Sequence, residues 1–336
     1  MKQYAPRSRW KGFFWQLLLF GLLWSNLEVY CRIHLLTQGF ESVVPMGELD
    51  PRTGTWVLGP NSHANNDGLN NAWVPPEHPA NELRILCLGG SVTMGHGVSR
   101  EETYPRQLQD ILQAQAPPGL WINVINGGIA GFGSSQCMAL LAKVGPRYTP
   151  QIVTAMCGYN ELNAFLYPRE DSYDGSWLQQ EGLVVTMRRL LYSSPTYRYL
   201  WRKVLLPQVS TKQLSDMTFC DVSVENLRTM HRYVVSRDAK MLLMFEAQKK
   251  TFGPEFQVPI GGKDRECLRE GYRRLAEEAR MPFLDMDDLL LRSSGRSEKE
   301  MLLDTCHLTV LANRMCAEKM AARLWELGWV PRVKAR

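Results

Sequence analysis

Arg84-Ile85-Leu86-Cys87-Leu88-Gly89-Gly90-Ser91 is a short, continuously apolar run that stops at two glycines and a serine. Such a run, without polar alternation, is the pattern of a strand buried on both faces, as strands of a parallel sheet are. The glycines permit a tight turn and leave Ser91 opening the next segment with its backbone N–H free. Outward from this strand, Tyr104, Leu108, Ile111 and Leu112 have helical spacing, and strand-like runs recur at Trp121–Ile125, Ile152–Met156, Met241–Phe245 and Pro282–Asp285. Helical patterns fall at 222–237, 264–280 and 309–327. Strands alternating with helices predict an α/β fold on a mostly parallel five-stranded sheet.

The chain has 336 residues, 45% of them apolar, enough to bury a sizeable core. Its net charge of +5 is a property of its ends. Lys2, Arg7, Arg9, Lys11, Arg332, Lys334 and Arg336 account for it, and the 32 basic residues that remain face 34 acidic ones. A near-neutral body offers no basic stripe for a phosphate backbone, which excludes nucleic acid as the partner.

The basic N-terminus is followed by an apolar run from Phe13 to Trp24, interrupted only by Gln16 and Gly21. We read residues 1–32 as an export signal that stays as a membrane anchor, the apolar stretch reaching a spanning length of about 20 residues only if it continues to Tyr30. A cleaved signal peptide is the rival, but no small-x-small site follows Trp24. The positive charges before the run would hold the N-terminus in the cytoplasm and place the rest of the chain, including any catalytic domain, outside it. Residues 33–82, rich in Pro, Gly and Asn from residue 45 on, read as an irregular linker. The regular domain then spans 83–330, with a helical insertion at about 163–221 and a basic tail at 331–336. The insertion reads either as an excursion packed on the domain or as a lid near the site. Eight cysteines show neither Cys-x-x-Cys nor a zinc spacing, so no metal or other cofactor is expected. No disulfide is assigned, and Cys87, inside a strand, reads as a buried free thiol.

Ligands of a parallel sheet sit beyond the carboxyl ends of its strands, and three of these strands end in distinctive loops. After the first comes Gly89-Gly90-Ser91, and after the second Asn126-Gly127-Gly128-Ile129-Ala130-Gly131-Phe132-Gly133. With no GKS or GKT following, the glycine loop does not fit a phosphate-binding P-loop. After the third comes Gly158-Tyr159-Asn160-Glu161, where the Asn160 amide can donate to an oxygen that becomes negative. Of six histidines, His307 alone has an acid one turn earlier at the entrance to a helix, Asp304. In a turn, that carboxylate can accept from Nδ1–H and leave Nε2 facing outward. Each motif alone is equally well explained as a turn or a cap.

Taken in order, Gly-x-Ser, Asn-x-Gly-x-x-Gly, Gly-x-Asn and Asp-x-x-His resemble the four blocks of the SGNH, or GDSL-type, hydrolase superfamily over about residues 83–327. Gly95-His96-Gly97-Val98 and Glu102-Thr103-Tyr104-Pro105 resemble the continuation after its serine. The resemblance implies a three-layer α/β/α fold of flavodoxin-like kind, with an N-terminal hydrophobic helix and the helical insertion as additions. It also implies Ser91 as nucleophile, His307 as base and Asp304 as its orienting acid. The oxyanion hole would consist of the Ser91 and Gly131 N–H groups and the Asn160 amide, with Gly128 as the alternative glycine donor. Gly90 and Glu161 stand where the family usually has Asp.

The implied activity is a serine esterase or acylhydrolase acting outside the cytoplasm on an O-acylated small molecule, glycan or lipid. The same site can instead transfer an acyl group, such as acetyl, to or from a cell-surface polysaccharide. A catalytically idle binding or assembly protein is a third reading, which intact Ser91, Asp304 and His307 argue against.

Overall fold

The computed structural model describes residues 9–37, 47–49, 56–58, 68–72, 74–75, 77–161, 194, 196, 219–249 and 262–333. The chain divides into two units, Met1–Pro45 with Glu181–Thr211, and Met46–Gln180 with Lys212–Arg336.

The first unit contains a 29-residue helix, α1 (Arg9–Thr37). Its large apolar side chains, among them Phe13, Phe14, Trp15, Phe20 and Leu23, are exposed. The polar residues that interrupt them turn back on the protein. Ser25 Oγ donates to Gly21 O and Asn26 Nδ2 to Leu22 O, and the Glu28 carboxylate accepts from Ser194 Oγ and Thr196 N. Among the described residues no helix is long and apolar enough to cross a membrane. The expected spanning segment is therefore not found. α1 has the length, but Gln16, Gly21, Ser25, Asn26 and Glu28 dilute its apolar character. Apart from Ser194, Thr196 and 219–221, the insertion at 163–221 lies outside the described residues, and with it both readings of its role.

The second unit opens with a two-stranded antiparallel ribbon, β1 (Gly47–Leu49) and β2 (Trp56–Leu58), inside the stretch expected to be irregular. The main elements follow as β3 (Glu82–Gly89), α2 (Ser91–Met94), α3 (Tyr104–Ala114), β4 (Trp121–Gly128), α4 (Ser134–Tyr148) and β5 (Ile152–Cys157). Then come α5 (Phe219–Val235), β6 (Lys240–Phe245), α6 (Gly262–Glu278), β7 (Phe283–Asp285), α7 (Glu298–Met301) and α8 (Val310–Glu326). The five strands β3 to β7 form one wholly parallel sheet in the order β4-β3-β5-β6-β7. Each coincides with one of the apolar runs read in the sequence.

Alternate residues of these strands face opposite sides, as the pleat requires. Leu86, Leu88, Val153, Ala155, Leu243 and Phe245 join a core with α4, α5 and α6. Ile85, Cys87, Ile152, Met156, Leu242 and Met244 join a second core with α3 and α8. The result is three layers. Truncating one of the fully buried leucines to Ala would cost about 2–5 kcal/mol.

Register is what positions the site. Gly89, the last residue of β3, lies beside Gly128 of β4 and Met156 of β5. The loops leaving these three neighbouring strands therefore start at one level, which brings the serine, the glycine loop and Asn160 to a common edge.

Residues 68–77, read as linker, belong to this unit. Leu69 and Val74 are buried in the core on the α4 side. The fully buried Arg84 donates from its guanidinium to the carbonyls of Pro75, Glu77 and Tyr148 and from Nε to Glu82, fastening the segment and the end of α4 to β3. These bonds satisfy backbone carbonyls that a periodic element would otherwise have paired.

Candidate active site

Gly90 caps α2 from an extended conformation, and Ser91 is the first residue of that helix, so its N–H has no intrahelical acceptor. Side chains from elsewhere in the unit hold α2 in place. Met94 O accepts from Asn70 Nδ2 at 2.7 Å, and the buried hydroxyls of Thr93 and Tyr104 lie 3.0 Å apart. Tyr104 N in turn donates to Asn313 Oδ1 of α8. Asn70 sits in the segment read as linker, and it is one reason the serine has a fixed address.

Asn160, buried at 7% exposure, donates from Nδ2 to the carbonyl of Phe132 in the glycine loop at 2.9 Å. An amide nitrogen carries two hydrogens, so this bond aims the group while leaving the second one to give. Gly90 packs directly on that amide. A Cβ at position 90 would lie 2.4 Å from Asn160 Nδ2. A side chain at this position, where the family usually has Asp, would therefore have to displace the Asn160 amide. Of the two glycines weighed as donors, Gly128 already gives its N–H to Asn126 Oδ1 at 2.9 Å. Gly131 is exposed at the loop, and among the described residues no hydrogen bond occupies its N–H.

Two buried carboxylates brace the Asn160 loop. Glu161, the other departure from the family pattern, accepts from Ser134 N and, at 2.9 Å, from Ser134 Oγ, tying the loop to the start of α4. Burial pushes its carboxyl above the ordinary value against the pull of hydrogen bonds from Ser134 and Ser223. Glu246, the residue after β6, accepts from Tyr159 N at 2.8 Å. Burial, with the charge of Glu161 added, pushes it up to about 7 although the Tyr159 bond pulls the other way.

Asp304 and His307 occupy a tight turn closed by the Leu302–Leu308 bridge. Asp304 Oδ1 accepts from the N–H groups of Cys306 and His307, both at 3.0 Å, and Oδ2 lies 2.6 Å from His307 Nδ1. His307 Nε2 lies 2.7 Å from Ser91 Oγ. Desolvation works to raise the Asp304 carboxyl, but the hydrogen bonds from His307 and Cys306 outweigh it and leave the group below its ordinary value. The turn holds because the start of α8 is anchored beside it: Thr309 Oγ1 donates to Glu300 O and accepts from Ala312 N. Asp304, Cys306 and His307 also bring one ligand atom each within 4.8 Å. They do not suit a metal, because both Asp304 oxygens are occupied and burial raises the Cys306 thiol well above its ordinary pKa. The sequence-read residues Ser91, Asp304, His307 and Asn160 thus gather at the edge where β3 and β5 end. Cys87, Cys137, Cys157, Cys267, Cys306 and Cys316 are free thiols.

A serine, an imidazole and a carboxylate in one hydrogen-bonded line, near the buried Asn160 amide, can carry out acyl transfer. The model of the GDSL-like lipase/acylhydrolase family matches residues 87–315, more than half of the chain. The chain belongs to the GDSL-like lipase/acylhydrolase family. It is accordingly an ester-bond hydrolase. Similar solved structures include Est24, a carbohydrate acetylesterase from Sinorhizobium meliloti, at 14% identity over 73% of this chain and 99% of that one, with a TM-score of 0.46. The psychrotrophic esterase EstA from Pseudoalteromonas sp. is 16% identical over 73% and 98%, with a TM-score of 0.45. The acetylxylan esterase Axe2 from Geobacillus stearothermophilus is 18% identical over 76% and 97%, with a TM-score of 0.44. No curated relative matches the chain.

Reading the sequence missed Glu246 and the packing of Gly90 on Asn160. A lone Glu ending an apolar strand was the available signal for the first, since a carboxylate there must find a donor. The second had none.

Proposed function

We propose that the chain is a serine esterase in which Ser91 attacks the acyl carbonyl of an O-acylated glycan or lipid. What carries the reading is the unbroken line from Ser91 Oγ to His307 Nε2 at 2.7 Å and from His307 Nδ1 to Asp304 at 2.6 Å. As Oγ bonds to the carbonyl carbon, its proton passes to His307 Nε2. Asp304 keeps the proton on Nδ1 and stabilises the imidazolium that forms. The Ser91 and Gly131 N–H groups and the free Asn160 hydrogen receive the oxyanion, each donor contributing about 3 kcal/mol to the transition state. Collapse expels the alkoxide, which takes the proton from His307 and leaves an acyl-serine. Water, deprotonated by His307, then releases the acid.

The proposed place of action is outside the cytoplasm, with α1 directing export. The basic residues before Phe13 and the exposed apolar side chains that follow support this. A reporter fused after residue 45 should be active only outside the cytoplasm, and activity confined to the cytoplasm would overturn it.

The site is tested by labelling the full chain with a fluorophosphonate. Wild type should label, whereas Ser91→Ala and His307→Ala should not, and equal labelling of all three sinks the assignment. Acetate released from acetylated xylan without gain by an added glycan supports hydrolysis, and transfer to that glycan supports the acyltransferase reading instead.

A further inference from the structure

A second imidazole packs on the base. The ring centroids of His96 and His307 are 4.3 Å apart with the planes tilted by 41°. Both nitrogens of His307 face other partners, Nδ1 toward Asp304 and Nε2 toward Ser91, so the contact is with the ring itself. The turn that delivers His96 is fixed on both sides. Gly95 and Gly97 have φ of 91° and 83°, a region side-chain-bearing residues avoid, and a Cβ at Gly97 would meet Leu303 Cδ1 at 2.6 Å. His96 N donates to Ser91 O at 3.0 Å, which ties the second imidazole to the nucleophile's own residue. His96 is otherwise exposed, and among the described residues no hydrogen bond holds its ring nitrogens.

We propose that His96 is a positioning residue for the base, holding the His307 ring where it reaches Asp304 and Ser91 together and offering it an uncharged aromatic neighbour when it becomes imidazolium. The inference rests on the serine-esterase reading of this site. Its logic requires His96 to be neutral while the base works, since two charged rings in contact repel. Desolvation lowers the His96 pKa, the charge of His307 lowers it further, and Asp304 pulls it partly back. The ionisable groups bearing on His96 are thus His307 and Asp304, both from the turn before α8.

Two variants of the full chain separate the effects. His96→Ala removes the ring and should lower kcat about 3- to 10-fold, the worth of one aromatic pair, with KM within about twofold of wild type on p-nitrophenyl acetate. His96→Phe restores a ring that cannot titrate. It should return kcat to near wild type at neutral pH, and its acid limb should have the slope of one proton where the wild-type limb is steeper. A His96→Ala chain with wild-type kcat, or a His96→Phe chain as slow as His96→Ala, overturns the proposal. An NMR titration of the His96 ring needs no turnover. In His307→Gln it should titrate closer to an ordinary imidazole than in wild type, and identical titration in the two chains overturns the packing on which the proposal depends. Failure of the esterase reading appears separately, as unchanged fluorophosphonate labelling of Ser91→Ala.

Discussion

Replacing Gly90 with Ala should disable the oxyanion hole without touching any group that reacts. The new Cβ would lie 2.4 Å from Asn160 Nδ2 and 3.0 Å from Phe132 O, where ordinary contact begins at 3.4 Å. Gly90 has φ −86° and ψ −150°, an extended conformation, so the backbone accepts Ala without left-handed strain and the contact is the whole perturbation. Relief requires the amide to retreat by about 1 Å, a displacement large enough to forfeit a hydrogen bond aimed at a transition state. Losing one such donor costs about 3 kcal/mol, or roughly 100-fold in kcat. Overpacking of this kind costs about 1–3 kcal/mol of stability, so the variant should still fold. Steady-state hydrolysis of p-nitrophenyl acetate should show the loss in kcat with little change in KM, while a thermal melt shows a folded chain. Because both substitutions act through one amide, Gly90→Ala with Asn160→Ala should be within about threefold of Asn160→Ala alone. A Gly90→Ala enzyme within about threefold of wild type, or losses that multiply in the double variant, would refute the reasoning.

Asp304→Asn should lower kcat by about 10⁴-fold through the wrong imidazole tautomer, read in the same assay. Because the folded state holds the Asp304 carboxyl below its ordinary value, the stabilisation it confers is complete above the unfolded value of about 4. It is lost as pH falls through the lowered value, so melting curves of wild type and variant should converge only in acid. Glu246 works in the opposite sense. Its carboxyl, pushed up to about 7, is favoured protonated in the fold, so wild type loses stability as pH rises from about 4.5 to 7. Glu246→Gln should remove that slope, and parallel melting curves across this range would contradict the burial argument. Glu161→Ala leaves the buried Ser134 N–H without its acceptor and should cost about 1–3 kcal/mol in denaturant titration.

The sheet was legible because each strand is an apolar run closed by turn residues, and burial on both faces demands that pattern. Ser91, Asn160 and the Asp304–His307 pair were legible because parallel strands put their following loops on one edge, so order along the chain stands in for position in space. Residues 68–77 were not. Leu69, Asn70 and Val74 enter the core or hold α2 through single side-chain contacts, which leave no period to detect. His96 has no acid within one turn of it in sequence, yet the turn carrying it packs at Gly97 against Leu303, just before Asp304, and through its ring against His307. α1 shows the reverse failure, where a run that looked long enough to span is too often interrupted.

His307, the proposed base, follows Ser91, the proposed nucleophile, by 216 residues, and this spacing has a temporal meaning. At about 5–20 residues per second of synthesis, Ser91 exists for roughly 10–40 s before His307 is made. α8 must then lay Asn313 against Tyr104 beside the serine's helix. A nascent or truncated chain lacking these last residues carries a serine and its amide donors but no proton acceptor. On the proposed mechanism such a chain would be without esterase activity, which would arise only once the turn carrying His307 has folded against Ser91.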